Sequence, residues 1–411
     1  MNVLILSQYY DPEPIPKPAD LAQGLLAQGH TPIVITGFPN YPAGELYEGY
    51  CLRLFQHEVI NDVSVNRVFE YPNHGTKAIW RFFNYLSFML SAPLASFRAR
   101  KCDVIYVWHP PLTVGVAAWI ISKLLRIPVV YDVQDIWPES VAAAGILSEN
   151  GRVYHFLQHL ERFVYRRMKH LIVVTEGAKR NLIVKGVPEQ KITVLPHWVD
   201  ETTFKIPTIE QQNAIRQEFD WSNRFIILFA GNLGFVQGLD AVILAASRLP
   251  AESPVHVVFM GQGTAESHLR QLTKESNVKD RISFVPYQPS ERMPQIMGAA
   301  DVLLVYLKRS LITDLVVPSK TMSYLAAGKP ILMAMGGAGN NLIHESGAGV
   351  AISPDDPETL AKAMQSLSSM PRESLDEFGS NGRRYIQDHL SRANILAQYI
   401  DLLERIAQPL R

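Results

Sequence analysis

The amino-acid sequence predicts an α/β protein built from two doubly wound parallel sheets, and three observations carry that prediction. Short apolar runs alternate with helix-periodic segments from one end of the chain to the other, the pattern of repeated β-α-β units. The runs are apolar with little alternation, as strands covered by helices on both faces must be. They fall into two sets separated by a polar stretch, and 411 residues are too many for one ordinary core.

In the first set, residues 3–7, 32–36, 103–107, 128–132, 171–175 and 192–195 read as buried strands. Helical periodicity fills the intervals, for example at 20–28, 111–125 and 152–168. The second set of strands runs 225–230, 256–260, 282–285, 301–306, 331–334 and 349–352. Between the sets, residues 200–223 are polar and rich in Glu and Gln around Pro207, which reads as a linker. The expectation is therefore two Rossmann-like domains, 1–199 and 224–390, facing a cleft. In such sheets ligands bind outside the carboxyl ends of the strands.

Composition narrows the function. Hydrophobic residues make up 47% of the chain and charged residues 19%, as in a folded protein. Thirty-nine basic residues balance 39 acidic ones, so no global field draws the chain to nucleic acid. Cys51 and Cys102 are the two cysteines; they offer no metal spacing and fit a reducing compartment. Residues 1–6 lack a basic leader and enter a strand-like run directly, which reads as a mature cytoplasmic start. No Ser-His-Asp order, metal-ligand cluster or Walker loop is evident.

Residues 80–97 depart from the soluble pattern. They are apolar and aromatic, flanked by Lys77 and Arg81 on one side and by Arg98, Arg100 and Lys101 on the other. Asn84 and Pro93 interrupt the run, which falls short of the ~20 apolar residues a spanning helix needs. An interfacial helix and a buried helix with a solvated basic end are the two readings that remain.

Candidate chemistry clusters where strands end. Pro318 marks a loop becoming a helix that stops at Gly328, ahead of the strand at 331–334. Ser319 and Lys320 then lie in the first helical turn, where free N–H groups and the helix dipole favour an anion and a lysine adds a full charge. Gly231, Asn232, Gly234, Gln237 and Gly238 follow the strand at 225–230, and their glycines let backbone approach a diphosphate. Gly261 and Gly263 end the next strand, and Pro286 and Tyr287 the one after. In the first half, Tyr9, Tyr10 and a Pro-rich loop with Pro16, Lys17 and Pro18 follow the first strand, before a helix from about Ala19. Residues 37–42 (Gly-Phe-Pro-Asn-Tyr-Pro) follow the second strand, so Asn40 and Tyr41 either bind a ligand or brace the loop. His109 ends a third strand. Gln134 and Asp135 follow a fourth, where Asp135 or Glu139 also suits a helix cap.

The whole chain, linker and last helix excepted, resembles the family-4 retaining glycosyltransferases of the GT-B fold. It is closest to the bacterial surface-polysaccharide branch of the colanic acid, O-antigen and capsule type. The resemblance rests on the Pro-Ser-Lys at 318–320 before Tyr-Leu-Ala-Ala-Gly-Lys-Pro at 324–330, on residues 37–42, on Gln-Asp-Ile-Trp-Pro-Glu-Ser at 134–140, and on Ala-Gly-Asn-Leu-Gly at 230–234 with Gln-Gly-Leu-Asp at 237–240. It implies a nucleotide-diphosphate sugar donor, UDP-linked, held by the second half through Lys320, Ser319, Gly231, Asn232, Gly234, Gln237 and Gly261. Pro286 and Tyr287 are placed at the base, Ser323 and Glu345 at the ribose, and Asn340 and Asn341 over the sugar. It implies an acceptor, lipid-linked or saccharide, held by the first half through Lys17, Asn40, Tyr41, His109 and Gln134, with Asp135 as the polar group near the transferred sugar. A final helix, 391–411, is expected to pack back on the first domain. Neither a cofactor nor a metal is expected, since amides, a helix N-terminus and Lys320 can stabilise the leaving diphosphate. A cytoplasmic protein peripheral on the inner leaflet fits residues 80–97.

The sequence departs from the family at the acidic pair many members carry, whose positions fall here on Leu315 and Ser323. Asp314 and the glycine-rich loop 336–341 are the candidates to replace those acids at the sugar, while Lys308 or Arg309 can add phosphate charge. The alternatives left open are a GT-B sugar-nucleotide 2-epimerase and a nucleotide-sugar-binding protein without chemistry.

Overall fold

A computed structural model describes residues 1–73, 78–143, 145–310, 312–354 and 356–408. The chain divides into two compact units, Met1–Leu195 with Ala393–Arg411, and Pro196–Arg392.

Among the described residues the first unit contains β1 (Asn2–Leu6), β2 (Thr31–Thr36), β3 (Phe55–Ile60), β4 (Val63–Val68), β5 (Val104–His109), β6 (Val129–Val133), β7 (His170–Val173) and β8 (Ile192–Val194). They form one sheet in the order β3-β4-β2-β1-β5-β6-β7-β8, parallel except for β3, which runs antiparallel to β4. Strands β1, β5 and β6 are almost wholly buried, as the unbroken apolar runs require. The order reverses between β1 and β5, so their carboxyl ends open a crevice.

The β3–β4 hairpin was not expected from the sequence. Strand β3 is an edge strand with alternate residues outward, Phe55, His57 and Val59 among them, so it lacks a continuous apolar run. Its turn is made by Asn61 and Asp62, both left-handed at φ 48° and 64°, the conformation a two-residue hairpin demands.

The second unit contains β9 (Phe225–Ala230), β10 (Val255–Met260), β11 (Ile282–Val285), β12 (Val302–Tyr306), β13 (Ile331–Ala334) and β14 (Gly349–Ile352). Their order, β11-β10-β9-β12-β13-β14, is all parallel and reverses between β9 and β12, the arrangement of dinucleotide-binding sheets.

Residues 200–223 are not a free linker. The helix Ile209–Glu218 starts with a capping box between Thr208 and Gln211, and it buries Ile215 against the second unit's core. Trp221, fully buried and stacked on Phe219 at 5.2 Å, fixes the segment there. Its polar composition reflects one wet helical face. The last helix, Arg392–Ala407, lies in the first unit from Ala393 onward. Its Leu396 and Ile400 cover Gly24 of the helix Pro16–Ala27, where a Cβ would stand 3.2 Å from Leu396 Cδ1.

Residues 80–97 form two elements: a helix, Ala78–Ser91, and a 3-10 helix, Ala92–Ala99, that begins where Pro93 breaks the first. Asn84 and Phe88 face inward, whereas Trp80, Phe82, Phe83, Leu90, Leu94 and Phe97 are exposed. Lys77 lies outside the described residues. Among the described residues no helix is long and apolar enough to cross a membrane.

Candidate active site

In the second unit the loops after β9 and β10 are laced together at the point where strand order reverses. Gly231 N–H donates to Met260 O, and Leu233 N–H to Gln262 O, both at 2.9 Å. Gly231 and Gly261 adopt φ values of +142° and +136°, which L side chains rarely reach. A Cβ on Gly261 would stand 2.0 Å from Gly231 O, so both positions need glycine.

The helix Lys320–Ala327 packs beside this turn. It ends in left-handed Gly328, and Ser319 occupies its N-cap position with no side-chain capping bond. Tyr324 pins the helix to the sheet, since its hydroxyl accepts Ala230 N–H at 2.9 Å and donates to Ala230 O at 3.2 Å. That anchor sets Lys320 against Gly231, where a Cβ on the glycine would lie 2.8 Å from Nζ. The ammonium rests on the ring of Phe229, 3.7 Å from its centroid. It is buried and makes no hydrogen bond among the described residues. Burial without a counter-charge pulls its pKa down to about 7. A buried cation beside an open glycine turn at a strand-order reversal is a site prepared for an anion.

Asp314 carries the facing loop. Its carbonyl accepts Ala338 N–H at 3.1 Å, and its carboxyl fills the space a Cβ on Gly336 would take. One oxygen each of Asp314 and Asn340 is buried without a partner among the described residues. Asn340 donates to Ile352 O at 3.2 Å, while Asn341 and Glu345 are exposed, Glu345 within a long 3.5 Å contact of the Tyr385 hydroxyl. Asn232 is exposed beside Gly234, and Gln237 ends the short turn Phe235–Gln237. Pro286 and Tyr287 stand exposed after β11, and Ser323 is half-buried one turn beyond Lys320. Lys308 pairs with Asp240 at 3.6 Å, and Arg309 is exposed.

In the first unit the carboxyl ends of the strands enclose a pocket of about 400 Å³. Tyr9 follows β1, Tyr41 follows β2, Trp108 lies in β5, and Asp135 and Trp137 follow β6; Tyr85 enters from the helix Ala78–Ser91. The rings touch: Tyr9–Tyr41 centroids are 5.1 Å apart and Tyr85–Trp137 centroids 6.3 Å. Asp135 still faces solvent in part, yet the rings around its carboxyl desolvate it and raise its pKa.

Several residues expected at the acceptor do not line this pocket. Lys17 does not extend from a loop, because Pro16 begins the helix and puts Lys17 in its first turn. There it pairs with buried Asp132 at 3.5 Å and donates to Gln134 at 3.2 Å, which occupies Gln134 as well. Tyr106 and Tyr399 also donate to Asp132, at 2.5 and 3.1 Å. His109 is fully buried behind the pocket wall, 6.1 Å from the ring of Trp137, and burial lowers its pKa to about 3. Asn40 braces its loop: it is buried and donates to Phe38 O at 2.8 Å and to Glu70. Tyr41 is left to line the pocket. Glu139 makes no capping hydrogen bond among the described residues and instead meets Lys185 at 2.8 Å, which also holds Glu161.

Sequence reasoning missed Glu13, which holds this loop region from inside. Its carboxyl accepts the N–H groups of Tyr10, Asn40 and Tyr41 at 3.1, 2.9 and 2.8 Å, and burial raises its pKa to about 7. It also missed Phe229 beneath Lys320, which read as part of a buried strand, and Tyr85 in the pocket, which read only as part of the aromatic segment 80–97.

Residues 18–198 match the family described as Glycosyl transferase 4-like domain, and residues 211–385 match Glycosyl transferases group 1. The chain belongs to the family-4 glycosyltransferases of the GT-B fold. This glycosyltransferase is 27% identical to the putative colanic acid biosynthesis glycosyl transferase WcaI of Escherichia coli, over 98% of this chain and 99% of that one. It is 26% identical to the probable glycosyltransferase WbjE of Pseudomonas aeruginosa, over 75% of each chain. Of the two, WcaI is the one whose name places it in colanic acid biosynthesis. Its fold matches that of Anabaena HepE, solved in complex with UDP, with a TM-score of 0.74 at 17% identity, covering 98% of this chain and 100% of that one. It also matches WaaG, a glycosyltransferase involved in lipopolysaccharide biosynthesis, with a TM-score of 0.69 at 15% identity, covering 98% and 99%.

Proposed function

We propose that this glycosyltransferase moves a sugar, with retention of anomeric configuration, from a UDP-linked donor to a lipid-linked or saccharide acceptor in surface-polysaccharide assembly. The observation that carries the proposal is Lys320, a buried ammonium with no hydrogen-bond partner among the described residues, beside the Gly231 turn. A diphosphate supplies the counter-charge that this cation lacks. The solved complexes of HepE with UDP and with UDP-glucose support a uridine donor by analogy of fold.

In this reading the second unit binds the donor and the first binds the acceptor. The bond from the anomeric carbon to the diphosphate breaks as the acceptor oxygen bonds that carbon on the same face, and the acceptor proton passes to a leaving phosphate oxygen. Lys320 and the positive end of its helix dipole stabilise the charge that develops, without a metal ion. Asp314 and Asn340, each with one oxygen buried without a partner among the described residues, are the groups we assign to the donor sugar in place of the acids absent at positions 315 and 323. The exposed aromatic face of the helix Ala78–Ser91, with Arg98, Arg100 and Lys101 beyond it, is assigned to the inner-leaflet surface from which a lipid-linked acceptor is taken.

Thermal-shift titration with UDP-, GDP- and ADP-sugars, followed by transfer onto lipid-linked saccharides, tests the proposal. Stabilisation by a UDP-sugar and acceptor-dependent release of UDP are expected. Epimerised nucleotide sugar without acceptor, or binding without turnover, contradicts it.

A further inference from the structure

The pocket in the first unit has a chemistry that narrows the acceptor, an inference that rests on the transferase reading above. Four carboxyl-end segments and one helix converge on it, so it is part of the sheet architecture and not a surface dimple. Its walls are aromatic, with Tyr41, Tyr85, Trp108 and Trp137 surrounding Asp135 and Ser140. Two features of that lining discriminate among ligands.

No basic residue lines the pocket among the described residues. Lys17, the cation the sequence offered, is held by Asp132 and Gln134, and Arg81 sits a turn from Tyr85 outside the lining. A phosphate placed here would meet a carboxylate and π faces, both of which repel it. The second feature excludes the opposite extreme. The Asp135 carboxyl has no side-chain hydrogen bond among the described residues, and its surroundings already desolvate it. Filling the pocket with a hydrocarbon chain would strip its remaining water and offer no donor in exchange. An uncharged sugar ring satisfies both constraints: its C–H face lies on the rings, and its hydroxyls donate to Asp135. The volume of about 400 Å³ lies within the range of small-ligand sites.

We infer that the pocket binds the terminal uncharged pyranose of the acceptor, with Asp135 accepting its hydroxyls and Trp137 stacking on its face. The acceptor is therefore a carrier that already bears sugar, not a bare lipid phosphate. A sugar-transfer reaction of another enzyme must supply it, which puts this enzyme after the initiating step.

The test is a saturation-transfer NMR titration of the full chain without donor, using methyl hexopyranosides, a hexose 1-phosphate and a short prenol as probes. UDP affinity is measured in parallel. Saturable binding of at least one neutral glycoside is expected, weakened about tenfold or more by Asp135→Asn and by Trp137→Ala, with UDP affinity unchanged in both. Preference for the phosphate or the prenol overturns the inference, as does absence of glycoside binding or binding indifferent to both substitutions. Absence of UDP binding by the unaltered protein would instead undo the UDP-donor reading, and the glycoside arm would still decide the pocket's ligand.

Discussion

Replacing Lys320 by Met keeps the length of the side chain and its contact with Phe229 while removing the charge. In the free protein burial holds the ammonium down from 10.5 to about 7, with desolvation as the cause. A displacement of that size corresponds to a cost on the order of 2–4 kcal/mol for keeping the lysine protonated, after allowance for the side chain's partial exposure. The sign follows from proton binding. Between pH 7 and 10.5 the unfolded chain holds a proton that the folded chain has lost, so stability rises with pH across that window. Lys320→Met should therefore be more stable than the parent at pH 7 and should lack the rise. Ligand binding runs the other way, because a charge-assisted contact to phosphate is worth about 1.5–3 kcal/mol. The variant should bind UDP about 10- to 150-fold more weakly. Calorimetry near pH 8 in buffers of different ionisation enthalpy should show proton uptake when the parent binds UDP and none in the variant. Urea unfolding at several pH values supplies the stability arm. A variant less stable than the parent at pH 7, or a UDP affinity within twofold, would refute the reasoning.

Further consequences follow from the same geometry. Gly261→Ala forces a Cβ to within 2.0 Å of Gly231 O at φ +136°, so its urea midpoint should fall by the equivalent of about 1–3 kcal/mol and UDP binding should fall with it. Glu13→Gln gives three N–H donors one acceptor oxygen in place of two, and unfolding should show a loss of about 1–3 kcal/mol with UDP affinity unchanged. Co-flotation with anionic vesicles should be observed for the parent, fall as salt shortens the Debye length below about 8–10 Å, and fail when Trp80, Phe82 and Phe83 are replaced together by Ser. Flotation of that variant equal to the parent's would contradict the membrane assignment.

Much of this was legible in the sequence, for identifiable reasons. Buried parallel strands announce themselves as apolar runs, and the helix of Lys320 is bracketed by Pro318 and Gly328, residues whose backbone demands are local. What was not legible depended on partners far along the chain. Lys17 read as a free cation because Asp132 and Gln134 reach it only through the fold, and because Pro16 at a helix start looks the same as Pro16 in a loop. Strand β3 hid because one of its faces is wet, and its signal was the Asn61-Asp62 turn. Residues 200–223 hid a core tryptophan inside a polar helix–turn segment. The Glu13 brace was invisible, since its three donors are backbone N–H groups that no side-chain pattern encodes. The rings of the first-unit pocket come from five separate segments, so no motif could group them.

In this glycosyltransferase the donor's diphosphate is expected at the Gly231 turn, its negative charge met by Lys320. A crystal structure of the protein with a bound UDP-sugar tests it most directly. A phosphate oxygen is expected about 2.7–2.9 Å from Lys320 Nζ, with the diphosphate packed on the Gly231 backbone. A diphosphate bound elsewhere, with the ammonium still lying unpartnered on the ring of Phe229, would contradict it.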